Sequence, residues 1–306
     1  MHRRRDRWAL GTAASLLAIV VLPGGALGAG PLQVADGEPD NDTRLSVLTP
    51  AEQAFVQKKL AFAATVGTTR TTAPRRTDQL VPSYACESDP CEGTPPPPPG
   101  SPPPPPLPTA KTLATKARQQ NNYYFCGPAS GQVVINWTRG FTSGSFNGED
   151  ATTNWRRQSK IADWMSTTTA GTGGANLANG LNNPGAVLKP TADWIYSYAD
   201  IGTMQQLYGK IVTDVATYGM PLVLATAPHV SGAGQNFLES WAGYVGPAHH
   251  WIVVRGYVGA WGDPTPILIQ YQDSSGSYGG STGSFDDRLS VVWQVSKWNQ
   301  GGHVVW

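Results

Sequence analysis

The sequence carries little charge, and its basic residues cluster only at the very start of the chain. Asp, Glu, Lys and Arg make up 14% of the 306 residues, and the formal net charge is +1. The basic cluster consists of Arg3, Arg4, Arg5 and Arg7. Beyond it, no run of Lys or Arg is interleaved with aromatic residues, as it is in nucleic-acid-binding surfaces. The composition therefore excludes nucleic acid as an expected partner.

Cysteine is also scarce, with only three residues in the chain. Cys86 and Cys91 lie close together in the loop-like segment CESDPC, and in an oxidising compartment they could pair with each other. Cys126 then remains without a partner. A lone thiol in an exported protein indicates an intermolecular bridge, a buried inert group or a reactive nucleophile.

Metal-binding and phosphate-binding motifs are missing. His229, His249, His250 and His303 occur without HExxH or CxxC spacing, so no metal site is expected. The glycine-rich segment at residues 171–174 is too short for a phosphate loop and is not followed by Lys-Ser or Lys-Thr. We therefore expect no cofactor.

Long apolar runs are absent after the N-terminus, where residues 1–29 have the order of a signal peptide. The basic cluster precedes an apolar stretch at residues 9–22, and a Gly/Ala-rich segment follows it. The apolar stretch is short for a membrane span of about 20 residues, although an uncleaved anchor is the alternative. We expect cleavage and a secreted product without membrane contact; the arginine pattern leaves general and twin-arginine export open.

The rest of the chain divides into a leader, a linker and one domain. Residues 30–93 form the leader, in which Thr49, Pro50 and Glu52 predict the start of a helix that runs to about residue 65. This helix is either a pro-segment remnant that docks on the main domain or an isolated helix. Residues 94–109 form a proline-rich linker that can reach roughly 40 Å as polyproline II. Residues 110–306 have the length of one domain.

The pattern of the last domain predicts helices first and strands afterwards. Helices are expected at residues 127–138 and 157–166, and a third begins at the capping box of Thr203 and Gln206 and ends before Gly219. Strands are expected at residues 221–227, 250–258, 266–273, 289–295 and 303–306. This order indicates an α+β fold with an antiparallel sheet.

The segment QQNNYYFCGPAS carries a candidate nucleophile at the start of the first predicted helix. Cys126 would lie at the positive end of the helix dipole, which favours the thiolate form. Gln120, six residues upstream, could donate to a developing oxyanion together with the Cys126 backbone N–H. Gln119 is the alternative donor.

A candidate base and its orienting carboxylate follow on two consecutive predicted strands. His250 begins HWIVVRGY, and Asp273 ends ILIQYQD. Neighbouring antiparallel strands could place Asp273 beside the His250 ring and set its tautomer. His249 is the alternative base, and Asp263, in a Gly-Asp-Pro turn, is the alternative carboxylate.

These motifs resemble the double-glycine peptidase family, the papain-like group that includes bacteriocin-leader peptidases, and its stand-alone secreted relatives. The matching pieces are Gln120 before YYFCGPAS, the stretch IADWMST…GTGG…LN, then HHWIVVRGY and YQDSS. The resemblance implies a papain-like fold, with the nucleophile's helix packed on an antiparallel sheet. It also implies Cys126 as nucleophile, His250 as base, Asp273 as orienter and Gln120 in the oxyanion hole.

Two departures limit what the resemblance carries over. The segment GAWGDPTP lengthens the spacing between His250 and Asp273, and no transporter segments follow the domain. The preference for double-glycine substrates is therefore not expected.

The predicted function is hydrolysis of a peptide bond in a peptide or protein substrate by an exported cysteine peptidase. Two alternatives stay open. The same residues could act on cell-wall peptide as an amidase or transpeptidase, or the domain could be a non-catalytic surface-binding module that retains the fold. An aromatic saccharide-binding cleft is a further alternative, given the 11 Trp residues.

Overall fold

The computed structural model describes residues 48–66, 107–141, 156–227, 237–244, 248–297 and 302–306, which all belong to one compact unit, Pro31–Trp306. The predicted signal peptide, the Cys86–Cys91 pairing, His229 and the proline run up to residue 106 lie outside these ranges. Among the described residues, no helix combines the length and the apolar character needed to cross a bilayer.

Helices occupy both ends and the middle of the described chain. The α-helices are α1 (Pro50–Val66), α2 (Cys126–Thr138), α3 (Gln158–Trp164), α4 (Gly174–Asn182), α5 (Met204–Ile211) and α6 (Leu289–Lys297). A π-helix, Val212–Tyr218, continues α5, and single 3₁₀ turns form at Glu239–Trp241 and Gly276–Tyr278.

The strands form one antiparallel sheet. They are β1 (Ala110–Thr112), β2 (Tyr198–Asp200), β3 (Leu222–Thr226), β4 (His250–Val258), β5 (Leu268–Asp273), β6 (Gly283–Arg288) and β7 (His303–Val305). Their order is β2-β7-β3-β4-β5-β6, and β1 pairs with β4. In β4 the register shifts between Val254 and Gly256, where a Cβ on Gly256 would lie 2.6 Å from the Lys111 carbonyl oxygen of β1. Glycine therefore permits this close approach of two strands.

The sheet is covered on both faces, which explains why β3 is buried along its whole length. Alternate residues of β3 and β4 point to opposite faces. Val223 and Val253 join the core formed with α2, α3 and α4, whereas Leu224 and Ile252 join the core formed with α5 and α6. The expected α+β fold with an antiparallel sheet is thus confirmed.

Most of the predicted helices are present. α2 and α3 fall within one or two residues of the expected bounds. The Thr203 side chain accepts a hydrogen bond from the Gln206 N–H, and the Gln206 side chain accepts one from the Thr203 N–H, which completes the predicted capping box. Gly219 has the left-handed conformation (φ 67°) at the end of the π-helix.

The predicted strand at residues 289–295 is wrong, because these residues form helix α6. Leu289, Val292 and Val295 are buried at a spacing of three residues, so one helix face packs on the sheet. A short run rich in valine fits a strand or a helix equally well. The strand of this region, β6, comes just before it, in the polar segment GSFDDR.

Helix α1 docks on the domain instead of standing alone. Its Lys59 is 1% exposed and lies 3.0 Å from a carboxylate oxygen of Asp214 in the π-helix. The Lys59 ammonium also lies over the rings of Trp194 and Trp306, at 4.1 and 4.4 Å from their centroids. The structure thus shows a docked helix and not an isolated one.

Candidate active site

Cys126 is the first residue of α2 and is 4% exposed. It is a free thiol. Phe125 caps the helix without a side-chain hydrogen bond, so the first N–H groups of α2 have no capping side chain. Pro128 falls in the first turn, where a missing N–H costs nothing. The thiol thus lies at the positive end of the α2 dipole.

The loop before Cys126 is braced by a buried glutamine that the sequence analysis did not single out. The Gln158 side chain, 0% exposed, accepts a hydrogen bond from the Asn121 N–H (2.9 Å) and donates one to the Gln119 carbonyl oxygen (2.7 Å). It also donates to the Gln132 side chain on α2. Gln158 therefore holds the residues on both sides of Gln120 against α2, the helix that begins at Cys126.

Gln120 lies between the Cys126 loop and the end of β5. Its backbone N–H donates to the Ser274 carbonyl oxygen at 2.9 Å, one residue after Asp273. Its side-chain amide donates to the carbonyl oxygens of Asn122 (2.9 Å) and Tyr123 (3.2 Å). Both amide hydrogens are engaged in this way, so donation to an oxyanion requires the amide to exchange one of them. The alternative, Gln119, is half-buried beside Gly276.

His250 and Asp273 meet at the same end of two neighbouring strands of the sheet. His250 is the first residue of β4, and Asp273 is the last residue of the neighbouring antiparallel strand β5. The His250 Nε2 lies 2.9 Å from the Asp273 Oδ1, and both side chains are fully buried. The remaining ring nitrogen, Nδ1, makes no hydrogen bond of ordinary geometry to the described residues, but the Cys126 thiol interacts with the ring.

The Asp273 carboxylate accepts hydrogen bonds on both oxygens. Oδ1 accepts from His250 and from the Ser275 N–H (2.8 Å). Oδ2 accepts from the Ser240 hydroxyl (2.8 Å) and the Trp241 indole N–H (2.9 Å). The Trp241 ring also meets the His250 ring edge-on, at 5.3 Å between centroids. A buried carboxylate with this many directed donors is stabilised in its ionised form.

The two partners shift each other's pKa in opposite directions. Burial lowers the pKa of His250, but the charge and hydrogen bond of Asp273, together with the Cys126 thiol, outweigh burial and raise that pKa to about 10. Burial raises the pKa of Asp273, but His250 and the donors from Ser275 outweigh it and hold that pKa below its ordinary value. The arrangement therefore favours an imidazolium beside a carboxylate at neutral pH.

The structure also shows where the two alternative residues lie. His249 is half-buried just before β4, and it is the next residue, His250, whose Nε2 lies 2.9 Å from Asp273. Asp263 is exposed in the loop between β4 and β5. Ser240 and Trp241 were missed by sequence reasoning because they lie more than 30 residues before Asp273, in a segment without a recognisable motif.

Within the part of the chain that the structure describes, no three His, Cys, Asp or Glu side chains are grouped so that they could hold a metal ion.

The class of protein follows from comparison with known families: the chain is a cysteine-type peptidase. The model of the Peptidase_C39 like family matches residues 112–293, which is more than half of the chain, and the chain belongs to that family. The match includes Cys126, His250 and Asp273. It confirms the resemblance to double-glycine peptidases, and to the papain-like group, that the motifs indicated.

Several solved structures overlap in part with this chain. The bromelain protease from Ananas comosus is 12% identical, with a TM-score of 0.37 over 65% of this chain and 98% of that chain. Xylellain from Xylella fastidiosa is 13% identical, with a TM-score of 0.37 over 65% and 86%. Digestive procathepsin L2 from Tenebrio molitor is 12% identical, with a TM-score of 0.36 over 65% and 67%. The family assignment does not depend on these overlaps. Among curated protein sequences, no match is found.

The His250–Asp273 pair predicts how stability varies with pH. Between the ordinary pKa of 6.5 and about 10, the folded protein keeps a proton on His250 that the unfolded chain releases. Stability from this proton is complete below pH 6.5 and is lost as the pH rises through about 10. At the acidic end, stability from the lowered pKa of Asp273 is present above 3.8 and is lost as the pH falls further.

We therefore expect the free energy of unfolding of the wild type to fall by about 3 kcal/mol more than that of His250→Gln between pH 7 and 9.5. Urea titrations at both pH values measure this difference. Asp273→Asn should show the same reduced slope as His250→Gln, because either change removes the interaction. Parallel slopes in all three proteins would contradict the pairing of charges.

Proposed function

We propose that the chain is exported and hydrolyses peptide bonds with Cys126 as nucleophile, His250 as base, Asp273 as orienting carboxylate and Gln120 as an oxyanion donor. The observation that carries the proposal is the buried His250–Asp273 pair, whose ring interacts with a free thiol at the N-terminus of α2. Nucleophile, base and orienter in mutual reach are the parts that covalent acyl transfer requires.

Acylation begins from a thiolate–imidazolium pair. The Cys126 sulfur attacks the carbonyl carbon of the scissile bond, and the electron pair of the C=O bond moves to oxygen. The Cys126 backbone N–H, at the unpaired start of α2, supports the proposed oxyanion site. The proton on Nδ1 of His250 then passes to the leaving nitrogen as the C–N bond breaks, which leaves a thioester on Cys126 and a neutral imidazole.

Deacylation reverses the proton's path. Nδ1 of His250 takes a proton from a water molecule, the oxygen of that water attacks the thioester carbonyl, and the C–S bond breaks to restore the thiolate. Nε2 keeps its bond to Asp273 through both steps, so the ring stays in one orientation. Neither step needs a cofactor or a metal ion.

The organisation of the chain is part of the same proposal. Residues 1–29 act as a cleaved signal peptide, and residues 94–109 separate the leader from a catalytic domain at residues 110–306. The order of basic, apolar and small residues supports export. A secreted peptidase of this kind acts on peptide or protein outside the cell.

Alkylation of Cys126 with iodoacetamide tests the activated thiol. At pH 6 an ordinary thiol is less than about 1% ionised, so the wild type should react at least tenfold faster than His250→Ala at that pH. His303→Ala is the matched control, since His303 bonds Asp200 between β7 and β2. Equal rates at pH 6 in wild type and His250→Ala would contradict the proposal.

Hydrolysis of an unstructured polypeptide and of cell-wall stem peptide, with Cys126→Ala as blank, then identifies the substrate class.

Paired alanine variants test the oxyanion donor. Gln120→Ala should lower kcat by about 10²-fold with little change in KM, as expected for a donor that acts in the transition state. Gln119→Ala should stay within a few-fold of the wild type, because the Gln119 contact to Gln158 uses its main-chain oxygen. A loss of kcat confined to Gln119→Ala would assign the oxyanion-donor role to Gln119. If neither variant lost kcat, the Cys126 backbone N–H would remain as the donor.

A further inference from the structure

The turn Glu239–Trp241, called the 239–241 turn below, supplies both donors to the Oδ2 of Asp273. Ser240 is 2% exposed and Trp241 is 0% exposed, so the donors are shielded from water. With Oδ2 occupied by the turn and Oδ1 shared by His250 and Ser275, the carboxylate has little rotational freedom. The direction in which Asp273 faces His250 therefore depends on where this turn lies.

Two side chains from β5 and β6 hold the 239–241 turn in place. The Asp287 carboxylate accepts a hydrogen bond from the Glu239 N–H at 2.8 Å and another from the Tyr271 hydroxyl at 2.8 Å. The Tyr271 oxygen in turn accepts one from the Ser240 N–H at 3.3 Å. Tyr271 is fully buried and lies two residues before Asp273, on the same face of β5.

The hydrogens in this network have one consistent assignment. The Ser240 hydroxyl has a single hydrogen, which goes to Asp273, and the Tyr271 hydroxyl gives its hydrogen to Asp287. The link between Ser240 and Tyr271 is then the backbone N–H of Ser240. Asp287 and Tyr271 thus fix the backbone of the turn, and the turn fixes the carboxylate.

We propose that Tyr271 and Asp287 are positioning residues, which act through the 239–241 turn to orient Asp273 and hence His250. The inference rests on the proposed function and extends the site from its reacting groups to the half-buried Asp287 carboxylate of β6. Neither residue touches the substrate or the reacting atoms.

Tyr271→Phe tests this inference, because it removes one hydroxyl and keeps the ring. The variant should loosen the turn and weaken the hold of Asp273 on the imidazolium. We expect kcat to fall about three- to tenfold, KM to stay within about twofold, and the alkaline limb of the kcat/KM profile to move about half a unit to lower pH. Asp287→Asn should move the limb in the same direction.

Tyr257→Phe is the matched control, since Tyr257 is equally buried on β4 and its hydroxyl donates to the Pro108 carbonyl oxygen, away from the 239–241 turn. It should lose stability without moving the alkaline limb. If Tyr271→Phe and Tyr257→Phe have the same kcat and the same position of the alkaline limb in the kcat/KM profile, the inference is overturned. If the wild type hydrolyses nothing, the proposed function fails, and the positioning role is then tested by the pH profile of Cys126 alkylation in wild type and Tyr271→Phe. A shift of this profile in Tyr271→Phe supports the positioning role. Coincident profiles overturn it.

A separate observation concerns helix α1. Beyond the Lys59–Asp214 pair, Phe55 packs on the rings of Trp194 and Tyr218 at 5.6 and 5.5 Å between centroids. The α1 backbone approaches α5 so closely that a Cβ on Gly209 would lie 2.3 Å from the Ala63 carbonyl oxygen. None of these partners is a residue of the candidate active site.

Undocking α1 would expose its apolar face and would leave the Asp214 carboxylate without the ammonium that lies 3.0 Å from it. The ammonium of Lys210, whose charge also acts on Asp214, would remain, but removing the partner in direct contact from a buried ion pair is still strongly unfavourable. We infer that α1 is a lasting structural part of the peptidase, which stays bound when the connection between residues 66 and 107 is cut. In this respect it differs from an inhibitory pro-segment, whose release uncovers an active site.

A specific cleavage site inserted between Gly100 and Ser101 tests this second inference. After cleavage, the α1 fragment should co-elute with the domain on gel filtration, and hydrolysis should change less than twofold. Lys59→Met should release the fragment, whereas Lys58→Met should retain it, because Lys58 is exposed on the same helix. Release of the wild-type fragment, with or without a rise in activity, would overturn the inference. The co-elution result holds whether or not the proposed function does.

Discussion

The buried ion pair between His250 and Asp273 is the interaction on which the rest of the site depends. Two charged groups that are fully removed from water are costly unless every polar atom finds a partner. The protein meets this demand at the Asp273 carboxylate with main-chain and side-chain donors from three places: β4, the turn after β5, and the 239–241 turn. The same donors that make burial tolerable also fix the orientation of the imidazole, so stability and chemistry are coupled here.

The antiparallel sheet makes this pair possible. The antiparallel pairing puts the start of β4 beside the end of β5. His250 and Asp273, which lie 23 positions apart in sequence, therefore meet directly through the pairing of their strands. The insertion between them lengthens only the far end of the hairpin. The loop GAWGDPTP therefore leaves the edge with His250 and Asp273 unchanged, although it alters their sequence spacing.

Local patterns predicted what depends on local physics. The helix that begins at Cys126, the capping box at Thr203 and the left-handed Gly219 follow from capping and conformational preferences. The family resemblance of the motifs was confirmed by the family match. The strand prediction at Leu289 is wrong, because a short apolar run has no decisive period and fits a helix equally well. The brace Gln158 and the donors on Asp273 could not be predicted, since nothing local marks a polar side chain whose partners lie far along the chain.

Two buried aspartates of this chain show how environment separates chemistry from structure. The charge of His250, together with hydrogen bonds from His250 and Ser275, outweighs burial and holds the pKa of Asp273 below its ordinary value. Asp214 faces the ammonium groups of Lys59 and Lys210, yet burial outweighs these charges and raises its pKa to about 6. Directed donors stabilise an anion at short range and do not need to be desolvated as ions, whereas a buried ammonium carries its own desolvation cost. The Asp273 carboxylate is therefore held by one charged partner and by neutral donors on both oxygens, whereas the Asp214 carboxylate, which anchors helix α1, is held by lysine ammonium groups.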